Sequence, residues 1–289
     1  MKLTGFHLEP TNRCMLACSA CERTLFQNQF GTRHWRNQDL DITALINFMD
    51  QDVQGLDWEL CGNTGDPIYH PDLVRLVRWI KQQHGRITMT TNGSYRPGRW
   101  WQELLEPMDD QDSVFFSVDG LPATSPRYRV GSDWTSIEKA MRLAAASAVS
   151  VTWKMIPFSF NHAEIDQVQQ LASDMGLAFR LDPSDRFTPG DPVQPKDTAF
   201  SEPRGTGEIV PVCSSGNRHY ISAHGKYSPC CWTGAYTFFY KTQFHKQQQD
   251  YDISITKLSQ VMSRMQGFDQ RMMVDPMDVC SYSCRKVVT

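Results

Sequence analysis

Gly5-Phe6-His7-Leu8-Glu9-Pro10-Thr11-Asn12-Arg13-Cys14-Met15-Leu16-Ala17-Cys18-Ser19-Ala20-Cys21 is the stretch from which the fold is read. Gly5 to Glu9 is a strand candidate, and three cysteines in Cys-x3-Cys-x2-Cys spacing follow it directly. A cysteine group on the loop leaving the carboxyl end of a first strand stands where parallel α/β sheets and barrels build active sites. A [4Fe–4S] cubane otherwise takes four cysteines, so three thiolates leave one iron for a non-protein ligand. A three-cysteine zinc site completed by a distant histidine is the plain alternative.

Working outward, further strand candidates are Asp57 to Cys61, Arg86 to Thr90, Ser113 to Val118, Val149 to Ile156 and Ala178 to Leu181. Helical patterns lie between them. Pro71 to Gln83 carries Leu73, Val74, Leu76, Val77 and Ile80 on one face, with Pro71 and Asp72 suited to a helix start. Thr135 to Ala146 has apolar residues at helical spacing. Asn161, with Glu164 three residues on, reads as an N-cap opening a helix that runs towards Gly176. Strands alternating with helices predict βα units and a parallel sheet. From Pro183 to Pro211, prolines and glycines mark an irregular connection. A hairpin around Tyr220 to Tyr227, a polar loop from Lys241 to Asp250 and a helix from Ser254 to about Gln266 follow. In that last helix Ile255, Leu258, Val261 and Met265 share a face. The expected architecture is α/β: a partial (β/α)6 TIM-like barrel over residues 1–190, then a small α+β domain over 191–289.

The 289 residues suit about two domains. Hydrophobic residues are 40% and charged residues 21%, close to a soluble globular average. Lys plus Arg is 29 against 32 Asp plus Glu, a net charge of −3 that argues against a nucleic-acid or anionic-membrane binder. No apolar stretch approaches the ~20 residues of a membrane helix, and no signal-peptide core follows the N-terminus. A soluble, cytoplasmic protein is expected. The nine cysteines are odd in number and grouped: Cys14, Cys18 and Cys21, then Cys213, Cys230, Cys231, Cys280 and Cys284, with Cys61 between. Clustered cysteines in a reducing compartment read as metal or iron–sulfur sites. No phosphate loop, H-E-x-x-H or G-x-S-x-G motif occurs.

Leu8-Glu9-Pro10-Thr11-Asn12-Arg13-Cys14 with the triplet spacing resembles the radical S-adenosylmethionine (SAM) superfamily. The resemblance implies a [4Fe–4S] cluster on Cys14, Cys18 and Cys21 whose open iron is chelated by SAM. It also implies reductive cleavage of SAM to a 5′-deoxyadenosyl radical that abstracts a substrate hydrogen. The family usually places an aromatic residue before the third cysteine; here it is Ala20. Gly62-Asn63-Thr64-Gly65-Asp66-Pro67 resembles the family's Gly-Gly-Glu-Pro turn, which holds the methionine amino group, with Gly65 and Asp66 as its residues here. A turn of Gly, Asn, Asp and Pro after a strand also occurs without any ligand. Thr90-Thr91-Asn92-Gly93 ends the third strand similarly, giving Asn92. Ser117, in Ser117-Val118-Asp119-Gly120, resembles the position that bonds the ribose. Arg129, twelve residues on, matches an arginine that pairs with the SAM carboxylate in anaerobic sulfatase-maturating enzymes; a guanidinium suits that task. Lys154, amid apolar neighbours on a strand, either lies at a barrel end or faces a ligand.

Cys213, eleven residues, Gly225, four residues and Cys230 resemble the opening of SPASM/twitch domains. Cys280 and Cys284 can close the site, and five cysteines suit the shorter twitch form with one auxiliary [4Fe–4S] cluster. Cys231 is the leftover, and a structural four-cysteine zinc site is the alternative. The resemblance implies an oxidoreductase like 2-deoxy-scyllo-inosamine dehydrogenases, with the auxiliary cluster as electron acceptor and a flavodoxin- or ferredoxin-type reductant. A small-molecule substrate is expected, since the chain leaves no room for a peptide-recognition domain. Substrate-side candidates are Arg180, Asp182 and Asp185. Peptide or protein side-chain modification is the alternative. A non-enzymatic iron–sulfur or zinc protein is a third reading, which predicts no SAM cleavage.

Overall fold

In the computed structural model, residues 3–184, 193–195, 207–211, 213 and 218–285 are described. The chain runs β1 (Gly5–Leu8), α1 (Glu22–Phe30), α2 (Ile42–Phe48), β2 (Asp57–Leu60), α3 (Leu73–Gln82), β3 (Arg86–Thr91), α4 (Gly98–Leu105), β4 (Ser113–Ser117), α5 (Trp134–Ala145), β5 (Ser150–Met155), α6 (Ile165–Asp174) and β6 (Ala178–Leu181). Then come β7 (Arg218–Ile221), β8 (Tyr227–Ser228) and the short helices α7 (Cys231–Gly234), α8 (Tyr236–Phe239), α9 (Gln243–Lys246), α10 (Leu258–Arg264), α11 (Phe268–Val274) and α12 (Asp278–Ser283). By internal contacts the chain divides into two compact units. The first comprises Met1–Arg13, Asn37–Arg86 and Arg204–Thr289; the second comprises Cys14–Arg36 and Ile87–Pro203.

In the first unit β1 lies parallel between β2 and β7, with Phe6 opposite both Trp58 and His219. β8 pairs antiparallel with β7. Every residue of β1 is buried, as expected for a strand flanked on both sides. Phe6 stacks on Trp58 at 5.1 Å. α3 buries Leu73, Leu76, Val77 and Ile80, the i, i+3, i+4, i+7 stripe of an amphipathic helix. Asp72 stands at its N-cap without a side-chain cap bond. The expected hairpin turns at Gly225, whose φ of +68° favours glycine.

Two expectations in this unit are corrected. The polar segment from Lys241 carries α9 and a 3-10 turn over Gln248–Tyr251, because Phe244 is wholly buried and meets Tyr251 at 4.9 Å. The helix expected from Ser254 starts instead at Leu258. The Asp252 carboxylate accepts from the Ser254 amide and hydroxyl at 2.9 and 2.6 Å, holding a turn there. Ile255 is left 67% exposed, off the buried face.

In the second unit β3, β4, β5 and β6 are successively parallel. Phe116, Trp153 and Phe179 are in register, and Ser117, Lys154 and Arg180 form the next row. Because side chains alternate across a strand, the two rows face opposite ways. The first is covered by helices: Trp134 of α5 lies 5.6 Å from Trp153, and Trp101 of α4 lies 5.7 Å from Phe116. Trp153 is fully buried and donates its indole N–H to the Val118 carbonyl at 2.9 Å. The second row carries the polar side chains.

Asn161 does not cap a helix. Its side chain accepts from the Phe158 amide at 2.6 Å and donates to the Asp119 and Ile156 carbonyls. A 3-10 turn, His162–Glu164, intervenes before α6. Glu164 instead bonds the Leu121 amide and the Thr124 hydroxyl, holding the loop after β4.

Candidate active site

In the second unit the cysteine triplet packs against a small apolar cluster of Leu16, Tyr128, Ile156 and Phe158, with Cys18 inside it. The loop is fixed by the Ala17 amide on the Val130 carbonyl at 2.9 Å and by Arg23 of α1 donating to the Leu16 carbonyl. Asn92, past the end of β3, donates its amide to Cys14 Sγ at 3.5 Å. Arg129 donates through Nε to Asp119 at 2.6 Å, and its positive charge acts on the Cys18 thiol. Burial pushes that thiol up, while Arg129 works against the rise and Cys21 and Asp119 add to it. Asp119 is wholly buried and also accepts from the Ile156 amide at 2.7 Å. Sequence reasoning quoted Asp119 only as a neighbour of Ser117. The signal it carried was an acid two residues past a strand-end serine, ten before the arginine it binds.

An amide N–H on one cysteine sulfur and a guanidinium charge acting on a second suit ligands that must be thiolates, since both stabilise the charge on sulfur. The donor set therefore fits an iron–sulfur cluster. Ser117 is buried and Lys154 half-buried beside it in the polar row. Lys154 pairs with Asp182 at 2.7 Å, and Asp182 meets Arg180 at 3.3 Å. Arg180 also lies over the Phe115 ring at 4.8 Å. Ser117, Lys154, Arg180 and Asp182 thus gather at the carboxyl ends of β4, β5 and β6. Asp185 lies outside the described residues.

In the first unit Gly65 and Asp66 sit in the turn after β2. A Cβ on Gly65 would stand 1.9 Å from the Thr11 carbonyl oxygen, so backbone packing alone demands glycine there. Asp66 caps the following 3-10 turn, accepting from the Ile68 amide at 3.2 Å, and its own amide donates to the Arg13 carbonyl at 2.9 Å.

The first unit also gathers Cys213, Cys230, Cys280 and Cys284. Burial, then Cys230 and Cys284, push the Cys213 thiol up to about 12. Cys280 is raised by its hydrogen bond to Cys284, then by burial and the remaining thiols. Cys231 is pushed up to about 12 by burial, with Cys230, Glu59 and Cys61 as its other neighbours. Cys230 acts electrostatically on both Cys213 and Cys280. Among the described residues no three Cys, His, Asp or Glu side chains stand at bonded-metal separations. Four neighbouring cysteines, two buried and two half-buried, are a set whose thiolate charge a multivalent iron centre would offset, so this donor set also fits.

Parallel β/α units with a Cys-x3-Cys-x2-Cys loop after the first strand define the class: the chain has the fold of the radical SAM enzymes, an α/β partial barrel with an open sheet. No protein-family profile matches it. Over 230 residues it is 23% identical to the tungsten-containing aldehyde ferredoxin oxidoreductase cofactor-modifying protein of Pyrococcus furiosus, covering 75% of this chain. That match spans 59% of the relative's length. Among solved structures, anSMEcpe with bound AdoMet superposes with a TM-score of 0.56 at 12% identity, over 89% of this chain and 80% of that one. BtrN in complex with AdoMet and 2-DOIA gives 0.53 at 14% identity, over 99% and 94%. SuiB of Streptococcus suis, bound to the precursor peptide SuiA, gives 0.56 at 12% identity, over 81% and 61%. No helix among the described residues is long and apolar enough to cross a membrane.

Proposed function

We propose that the chain is a radical SAM oxidoreductase that acts on a small molecule. The observation that carries this reading is the cysteine triplet backed by the Asn92 amide on Cys14 and by the charge of Arg129 acting on Cys18. Cys14, Cys18 and Cys21 would hold the SAM-binding [4Fe–4S] cluster; Cys213, Cys230, Cys280 and Cys284 would hold the auxiliary one. When bound, the clusters and SAM supply reductive cleavage to a hydrogen-abstracting 5′-deoxyadenosyl radical and an acceptor for the electron left on the substrate.

The chain's own residues have separable tasks. A guanidinium carries five N–H groups; Asp119 takes one of Arg129's, so donors remain for a carboxylate beside Cys18. Ser117 offers a hydroxyl to the ribose, Asn92 an amide, and Gly65 and Asp66 the turn for the amino group. Lys154 and Arg180 flank Asp182 and orient it. Asp182 is the carboxylate proposed to take the substrate's proton. Cofactor modification by the Pyrococcus relative supports a small-molecule substrate. A flavodoxin- or ferredoxin-type protein is the proposed reductant. Peptide side-chain modification is the second reading, favoured by the fold shared with peptide-bound SuiB.

Anaerobically reconstituted protein given dithionite and SAM is expected to form 5′-deoxyadenosine, and Cys14→Ala to form none while keeping its circular dichroism spectrum. Cleavage retained in Cys14→Ala would overturn the assignment.

A further inference from the structure

We infer that Glu9 is the positioning residue for the Gly62–Pro67 turn, and that Tyr220 ties the turn to the strand leading towards Cys230. The inference rests on the reading of that turn as the holder of the SAM amino group. Glu9 follows β1 directly, is 4% exposed, and fixes its own backbone by donating to the Ile221 carbonyl at 2.9 Å. Its Oε1 accepts from the Thr64 amide at 2.8 Å, the Thr64 hydroxyl at 2.9 Å and the Gly65 amide at 3.3 Å. Its Oε2 accepts from the Tyr220 hydroxyl at 2.9 Å.

A buried carboxylate is costly unless its lone pairs are satisfied. Here four donors satisfy it, and among the described residues none comes from Lys or Arg. The carboxylate thus spends its bonding on one turn and one tyrosine. The consequence follows from peptide geometry. A trans peptide is planar, with its N–H and C=O pointing oppositely. Drawing the Thr64 and Gly65 amides onto Glu9 therefore turns the Asn63 and Thr64 carbonyls away from it, on the side of the turn opposite the carboxylate. An ammonium has three donors and no acceptor, so outward carbonyls are what it needs. The turn closes tightly over the strand exit, since a Cβ on Gly65 would stand 1.9 Å from the Thr11 carbonyl oxygen.

Tyr220 extends the connection. It is fully buried on β7, its ring edge-on to His7 at 5.1 Å. A Cβ on Gly234 of α7 would stand 2.3 Å from that ring. One hydroxyl thus joins the turn to the segment that carries Cys230 and Cys231.

The test compares SAM dissociation constants, measured by equilibrium dialysis on the reconstituted full chain, with amide exchange of the 62–67 segment measured without SAM. Glu9→Ala is expected to weaken SAM binding about tenfold, equivalent to one charged hydrogen bond. It should also speed exchange at Thr64 and Gly65, with little change in turnover at saturating SAM. Glu9→Gln keeps an oxygen for the same amides and should restore both readouts to near wild type. Tyr220→Phe should fall between. Wild-type affinity and exchange in Glu9→Ala would overturn the inference. If that variant does not fold, unchanged exchange in Tyr220→Phe overturns the tie to β7, and faster exchange supports it. Wild-type protein that binds no SAM would overturn the underlying reading instead, while the exchange data would still decide the role of Glu9.

Discussion

Asp119 has no exposed surface, and Arg129 is its ion-pair partner. Removing one member of a buried pair leaves an uncompensated charge and typically destabilises by 3–5 kcal/mol. Arg129→Ala is therefore expected to lower stability to urea by about 3 kcal/mol, besides any effect on SAM. Adding Asp119→Asn should recover more than half of that loss, because the stranded group is then neutral. A wild-type urea midpoint in Arg129→Ala would show that the pair is not needed for the fold. SAM affinity is best compared in the double variant, where the fold is restored and only the guanidinium is missing. At this scale the sequence and its family resemblance singled out Arg129, whose spacing from Ser117 is local. Asp119 and Asn161 were harder, because their partners lie on strand ends and loops that only folding brings together. Asn161 has the Asn-x-x-Glu pattern of a helix cap, yet Asp119 and Ile156 claim its amide instead.

Elements that alternate cleanly could be read directly. In β5, Val151, Trp153 and Met155 are buried while Thr152 and Lys154 are only half-buried, and two-residue periodicity says as much. Helix α1 is different: its buried residues are Arg23 and Thr24, so it has no apolar stripe to read. The four-residue helices after β8 are too short for any period and are set by tertiary contacts such as that of Phe244 with Tyr251. β7 was legible as half of a hairpin, but not its parallel seat on β1, which buries His219 completely. The His219 ring stacks on Tyr227 at 5.4 Å, its Nδ1 bonds the Tyr227 hydroxyl, and its Nε2 is buried with no partner among the described residues. Burial pushes the imidazole from its ordinary 6.5 down to about 4. Between those values the unfolded chain takes up a proton that the folded chain refuses. Stability is thus complete above about pH 6.5 and is lost as pH falls through the folded value, by about 3 kcal/mol in all. Urea midpoints from pH 7 to pH 4 should show this slope, and His219→Phe should flatten it. Equal slopes in both proteins would place the acid sensitivity elsewhere.

On the scale of the whole molecule, each compact unit carries its own cysteine set: Cys14, Cys18 and Cys21 in the second, Cys213, Cys230, Cys280 and Cys284 in the first. Cysteine thiols must lose protons to bind metal, so loading couples to the fold of the unit that carries each set. Iron and sulfide uptake should therefore be additive. Wild-type chain reconstituted anaerobically is expected to take up about eight of each, Cys14→Ala and Cys280→Ala about four each, and the double variant close to none. Cys280→Ala should still cleave SAM yet fail to complete substrate oxidation, because its lost cluster is the proposed electron acceptor. If a single substitution empties both sites, the sets are not independent. If Cys14→Ala binds zinc without sulfide, the C-terminal set is a structural zinc site and the acceptor role goes with it. Zinc has no redox chemistry, so a two-electron oxidation would then require an acceptor from outside the chain.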